Sequence, residues 1–135
     1  MTDRETLFRH RLTQAEETLA DAQMMLAGGA SARSVVNRCY YAMFYGVLAL
    51  LLHQNVEHVT SRHSGIISIF DKAFIHTGKL DREYSRMLHR IFESRQEADY
   101  KEFVEISAED ATRWVRMAEE FIAGIRSIVN QSISE

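Results

Sequence analysis

The sequence predicts an all-α fold, an antiparallel up-and-down helical bundle of about five helices, and three observations predict it. Proline is absent from all 135 residues, although average usage is about 5%. Proline is costly inside helices and useful in turns, so its absence favours long helices joined by short connections. Apolar residues recur at helical spacings of three and four along most of the chain. Glycines and short polar residues stand where those patterns stop. The length suits one domain covering residues 1–135, without internal repeat, low-complexity tract or linker. With 46% hydrophobic and 26% charged residues, the composition excludes a disordered chain.

The first helix is expected from about Thr2 to Ala27, where Phe8, Leu12, Ala15, Leu19, Ala22 and Leu26 form one apolar stripe. Gly28 and Gly29 stop it. A second helix from about Ser31 to His53 contains the run Cys39–Leu52, fourteen residues without a charge. A membrane span needs about 20 such residues, so the run reads as the central helix of a bundle, covered on nearly every side. After a loop over Gln54–Val59, Thr60 or Ser61 is expected to cap a third helix that turns Ile66, Ile67, Phe70, Ala73 and Phe74 inward and ends at Gly78. Asp81 would cap the fourth, running to about Ala98 or Tyr100. Ser107 and Asp110 approach a capping box for the fifth, whose apolar face runs from Ala111 and Trp114 to Ile128 and Val129.

The formal charge of −3 argues against a broad grip on duplex DNA. It leaves room for a local pocket lined by arginine, which makes up 13 of the 16 cations and suits bidentate contact with phosphate or carboxylate. The single cysteine, Cys39, lies in the apolar run and is expected as a buried core thiol. The charged N-terminal residues do not resemble a signal peptide. Together these features predict a cytoplasmic protein without membrane contact.

Function is sought where polar groups break an apolar face. At 100° per residue with Arg82 at zero, Tyr84, Met87, Leu88, Ile91 and Phe92 of the fourth helix fall between about 140° and 280°. Arg95, at about 220°, and Asp99, at about 260°, point into that same face. Arg82, Arg86 and Arg90 lie opposite, as a solvated face or a contact for RNA or an acidic partner. On the second helix, with Asn37 at zero, Tyr41, Tyr45 and Arg38 stand at about 40°, 80° and 100°, a polar and phenolic edge on an otherwise apolar cylinder. A half-buried arginine needs an anion or several acceptors. Two readings stay open: an internal network in which Arg95 pairs with Asp99, or a phosphate or nucleotide pocket or polar dimer interface.

The histidines carry less. His53, His58 and His63 are five apart and do not stack on one helical face, and no zinc-type ligand spacing accompanies them, so no metal and no cofactor is expected. His63, beside Arg62 at the expected start of the third helix, sits in an anion-favouring setting or serves there as a surface cap. His10, His76 and His89 have no distinguishing neighbours. No Walker loop, GxGxxG, HExxH or GxSxG occurs.

Three segments taken in order, Asn37-Arg-Cys-Tyr-Tyr-Ala-Met-Phe44, Thr60-Ser-Arg-His63-Ser-Gly65 and Arg95-Gln-Glu-Ala-Asp99-Tyr100, resemble the small stand-alone bacterial and archaeal members of the HEPN domain family. The likeness covers about residues 10–130. It implies an up-and-down helical bundle, often dimeric, associated with nucleotide or RNA binding and toxin–antitoxin systems and frequently encoded beside a minimal nucleotidyltransferase. Many members are metal-independent RNA endonucleases that use an R-x4–6-H motif. This sequence departs from that motif, because no histidine follows Arg95 within seven residues. Arg82 to His89 and Arg4 to His10 meet the spacing but do not align with the family segment.

The resemblance therefore implies a homodimeric, nucleotide- or RNA-associated module that acts with a nucleotidyltransferase partner and lacks standard R-x4–6-H cleavage. Arg38, His63 and Arg95 would contact the anion, Tyr41 and Tyr45 would stack or offer hydroxyls, Asp99 would hold Arg95, and Tyr100 would present a hydroxyl or a modification site. The alternatives are an RNA endonuclease toxin with Arg95 and His63 as its catalytic pair, and a scaffold without a small ligand.

Overall fold

The computed structural model describes residues 2–57, 60–100 and 105–134, with the side chains of Tyr100 and of residues 132–134 outside that set. Among the described residues there are five helices and no strand: α1 (Asp3–Ala27), α2 (Ala32–His53), α3 (His63–Phe70), α4 (Arg82–Tyr100) and α5 (Ala108–Ser134). The all-α expectation holds, and the ends carry much of the expected chemistry. The Thr2 hydroxyl accepts from Glu5 N–H at 3.1 Å and caps α1. The Ser31 hydroxyl does the same for α2 from Ser34 N–H. Between them Gly29 takes a φ of 79°, left-handed backbone that suits glycine. Asp81 accepts from Glu83 N–H at the head of α4. Ser107 and Asp110 exchange hydrogen bonds at 3.0 and 3.3 Å, a capping box with aspartate in place of glutamate.

The third helix departs from expectation. Its N-cap position is Arg62, which has no capping side chain. The Thr60 hydroxyl instead accepts from Arg62 N–H, shaping the turn before the helix rather than satisfying its first turn. Beyond Phe70 the helix widens into a π-helical turn over Asp71–Ile75. The wider turn leaves Ala73 half-buried, while Ile66, Ile67, Phe70 and Phe74 are buried as the periodicity required. Asp71, in that turn, reaches His89 Nε2 of α4 at 2.7 Å, a pairing across 18 residues that sequence spacing does not reveal.

Packing follows from α2, apolar around most of its circumference and therefore in need of cover on most sides. It packs against α1, α4 and α5. Pairs between α1 and α5, Glu16 with Arg126 and Gln23 with Glu119, run in opposite residue order, so those helices are antiparallel. Tyr40 packs on Phe92 and the Arg33 guanidinium bonds Ala98 O, which makes α2 and α4 antiparallel too. The four long helices thus alternate up and down, with α3 lying alongside as the link from α2 to α4. By length and composition α2 could cross a membrane, but most of it is buried within the bundle. Cys39, near its middle, is fully buried, and desolvation, with a smaller push from the Glu119 carboxylate, raises its thiol to about 12.

The α4–α5 crossing is close at Gly124. A Cβ built there would fall 2.6 Å from Tyr84 Cζ, and Tyr84 is braced by Phe121 at 5.9 Å between ring centroids. Gly→Ala in a helix ordinarily stabilises by about 1 kcal/mol. Here overpacking reverses the sign, and Gly124→Ala is expected to destabilise by about 1–3 kcal/mol in urea titrations. In a Tyr84→Ala background the same substitution should stabilise by about 1 kcal/mol.

Candidate functional site

The polar edge of α2 meets α3 and the second half of α4 in one cluster. Tyr41 occurs one residue after Tyr40, and 100° of helical rotation separates their directions. Tyr40 is fully buried while Tyr41 is half-buried at the rim. The Tyr40 hydroxyl lies 2.6 Å from His63 Nδ1. The His63 ring stacks on Phe44 at 4.1 Å between centroids and meets the edge of Tyr41 at 6.1 Å. His63 thus stands at the start of α3, as expected, and within an aromatic nest.

Arg95 enters the same nest from α4. Its guanidinium stands 5.0 Å from the Tyr40 ring centroid and 5.2 Å from that of Tyr41, and Nη2 donates to the Tyr41 hydroxyl at 3.2 Å. Asp99, one turn on, brings Oδ2 to 3.3 Å from Arg95 Nε. That separation is an ion pair by distance, yet the buried Nε has no aligned acceptor among the described residues. Of the two residues that helical phase turns toward the apolar face, Arg95 is half-buried against it, while Asp99 is exposed.

Arg38 lies on the other side of Tyr41, 5.3 Å from its ring centroid, and donates to Asn37 Oδ1 at 3.0 Å. No described carboxylate pairs with it. Tyr41 is thereby bracketed by two guanidinium groups, with one carboxylate, that of Asp99, between them. Tyr45 is half-buried and packs on Tyr41 at 5.9 Å, at the margin of the cluster. Tyr100 closes α4, but its side chain lies outside the described residues, as does all of His58. Arg82, Arg86 and Arg90 are exposed on the far face of α4, where Arg86 pairs with Glu83. Among the described residues no group of three His, Cys, Asp or Glu side chains is arranged to hold a metal ion.

Sequence reasoning missed Tyr40, Phe44 and Phe92, which form the floor beneath Arg95 and His63. Helical phase assigns Tyr40 to the apolar side. Its hydroxyl was the available signal, since a buried tyrosine needs a polar partner.

The electrostatics follow from the same contacts. Burial, and then the positive charge of Arg95, holds the His63 imidazole below its ordinary value of 6.5. Burial pushes the Tyr40 phenol well above the usual range, although Arg95 pulls the other way. At neutral pH the pair is a neutral imidazole and a protonated phenol.

Comparison with known proteins adds a lineage to this geometry. The HEPN domain model matches residues 8–128. The UPF0332 protein of Thermotoga maritima is 37% identical over 129 residues, covering 96% of each chain. Two proteins of Methanocaldococcus jannaschii, each named "Putative toxin", also match. One is 30% identical over 87% of this chain and 84% of its own, the other 42% identical over 56% of this chain and 50% of its own.

The lowered imidazole sets a pH dependence. The unfolded chain takes up the His63 proton near 6.5 and the folded protein only at lower pH, so this group's contribution to stability is complete above 6.5 and is lost as pH falls. His53 acts in the same direction, through burial and then Arg4. Urea midpoints should therefore fall between pH 7.5 and 5. His63→Gln should flatten only part of that slope, with its stability deficit narrowing as pH drops.

Proposed function

The chain belongs to the HEPN domain family, and on that premise we propose that it is a toxin–antitoxin-like module whose α2–α4 cleft contacts the phosphate of a nucleotide or RNA. It works as a homodimer in the cytoplasm and is controlled by a minimal nucleotidyltransferase partner. The names of the two M. jannaschii relatives support the toxin–antitoxin part of this reading.

The observation that carries it is the pair of guanidinium groups against Tyr41, Arg95 and Arg38, with one described carboxylate, that of Asp99, paired to Arg95 and none paired to Arg38. Two guanidinium groups against one carboxylate leave a surplus of positive charge, which an entering anion would balance through charge-assisted hydrogen bonds. Arg95 would supply charge and two donors, and Arg38 a second charge across Tyr41. Tyr41 and Tyr45 would offer a ring edge to a base or ribose. Asp99 would hold Arg95 by its carboxylate while leaving the rest of the guanidinium to the ligand. The net charge of −3 fits a small site of this kind and not a duplex-DNA surface.

Calorimetric titration with AMP, ATP and a short single-stranded oligoribonucleotide tests the reading. Hydrogen bonds to a charged group contribute about 1.5–3 kcal/mol, so Arg95→Ala should weaken binding about ten- to hundredfold with the helical circular-dichroism spectrum retained. Unchanged binding together with a large loss of stability would make Arg95 a structural group and favour the scaffold. Cleavage of the oligoribonucleotide in the presence of EDTA, abolished by Arg95→Ala and His63→Ala, would favour the endonuclease instead.

A further inference from the structure

We propose that Tyr40 is a positioning residue that fixes His63 as an N–H donor at Nε2, so that His63 and Arg95 together receive an anionic phosphate oxygen. The inference rests on the proposed phosphate site and assigns roles within it.

The argument starts from the single proton of the Tyr40 hydroxyl. Tyr40 is fully buried, and its hydroxyl has one hydrogen-bond partner among the described residues, His63 Nδ1 at 2.6 Å. A buried hydroxyl whose proton finds no acceptor loses its hydration without replacement. The Tyr40 proton therefore points at Nδ1, and Nδ1 must hold a lone pair. A neutral imidazole with its lone pair at Nδ1 carries its proton at Nε2. The charge states agree with that assignment: burial and Arg95 keep the imidazole neutral, and burial keeps the phenol protonated.

The ring is also held in place. Phe44 stacks on it at 4.1 Å with 30° between planes, and Tyr41 meets it nearly at a right angle. A half-turn of the ring would put a carbon where Nδ1 stands and lose the Tyr40 bond. Nε2 has no hydrogen-bond partner among the described residues. On the Tyr40 ring, the imidazole centroid lies at 5.7 Å and the Arg95 guanidinium carbon at 5.0 Å, so both groups flank one aromatic floor.

The consequence is chemical. An imidazole with Nδ1 occupied and Nε2 protonated has no lone pair to offer a ribose hydroxyl, and it cannot begin as the general base of a cleavage reaction. It can donate to an oxygen, and its neighbour Arg95 can donate to the same group and neutralise its charge. The ligand class is thus an oxyanion of phosphate type, whether it belongs to a mononucleotide or to an RNA backbone.

The test is made on the full chain with 15N-labelled histidine, using long-range proton–nitrogen correlation spectra at pH 7.5, and each resonance is assigned by substitution. In the free protein His63 should show the shift pattern of a protonated Nε2 and an accepting Nδ1. Tyr40→Phe, which removes one oxygen and keeps the ring, should move His63 toward a mixture of the two tautomers. A His63 protonated at Nδ1 in the unsubstituted protein, or a tautomer unmoved by Tyr40→Phe, overturns the inference.

Inorganic phosphate, AMP and a short oligoribonucleotide are then added in separate arms. A shift at His63 Nε2 with phosphate or AMP identifies the mononucleotide source, and a shift with the oligoribonucleotide alone identifies the RNA source. A fixed Nε2–H that none of the three probes moves would overturn the phosphate site itself while leaving Tyr40's positioning role in place.

Discussion

A helix that is apolar around most of its surface cannot face water, and α2 imposes that constraint on everything else. From Val35 to Leu51 it contributes a dozen buried residues, each worth roughly 1.5–3 kcal/mol of transfer free energy when a large side chain is fully enclosed. The surrounding helices exist as sequence patterns because each must supply one apolar stripe to this cylinder. Only one sector of α2 escapes that demand, the edge carrying Asn37, Arg38, Tyr41 and Tyr45. The polar and aromatic cluster forms there because it is the part of the central helix where polar atoms can be tolerated.

At that edge three kinds of interaction replace hydrophobic burial. The arginines lie against tyrosine faces, which accept positive charge while excluding water. Asp99 balances one of the two guanidinium groups and is itself partly solvated, so it steadies Arg95 at modest cost. The phenol of Tyr40 and the imidazole of His63 share a short hydrogen bond beneath them. The three belong together: charge at the rim, aromatic faces in the middle, and a neutral bonded pair at the floor. Membership in the HEPN family accounts for the bundle.

The fold was legible in the sequence to the extent that local physics decides it. Asp81 and Ser107 cap helices where the sequence predicts caps, because each offers a short polar side chain where backbone N–H groups would otherwise go unpaired. Helical phase put Arg95 on the inner face of α4 and Arg38 beside Tyr41 for the same reason: one angle per residue suffices. What escaped was non-local. Nothing in a single stretch of chain states that Tyr40 finds His63 across 23 residues, or that Asp71 finds His89. The π-helical turn at Asp71–Ile75 was equally hidden, since one widened turn leaves no compositional mark. Helical phase alone places Tyr40 on the apolar side of α2 and says nothing of where its hydroxyl proton goes.

Cys39 stands on the central helix, wholly enclosed, with a thiol near 12. Its only route to an aqueous reagent is through separation of the helices that cover it. The protein thus carries its own timer: the rate at which a small disulfide reagent consumes this single sulfur measures how often the bundle opens. Tightening of the neighbouring cleft by a ligand would register there as slower consumption, without a label or a fluorophore being introduced.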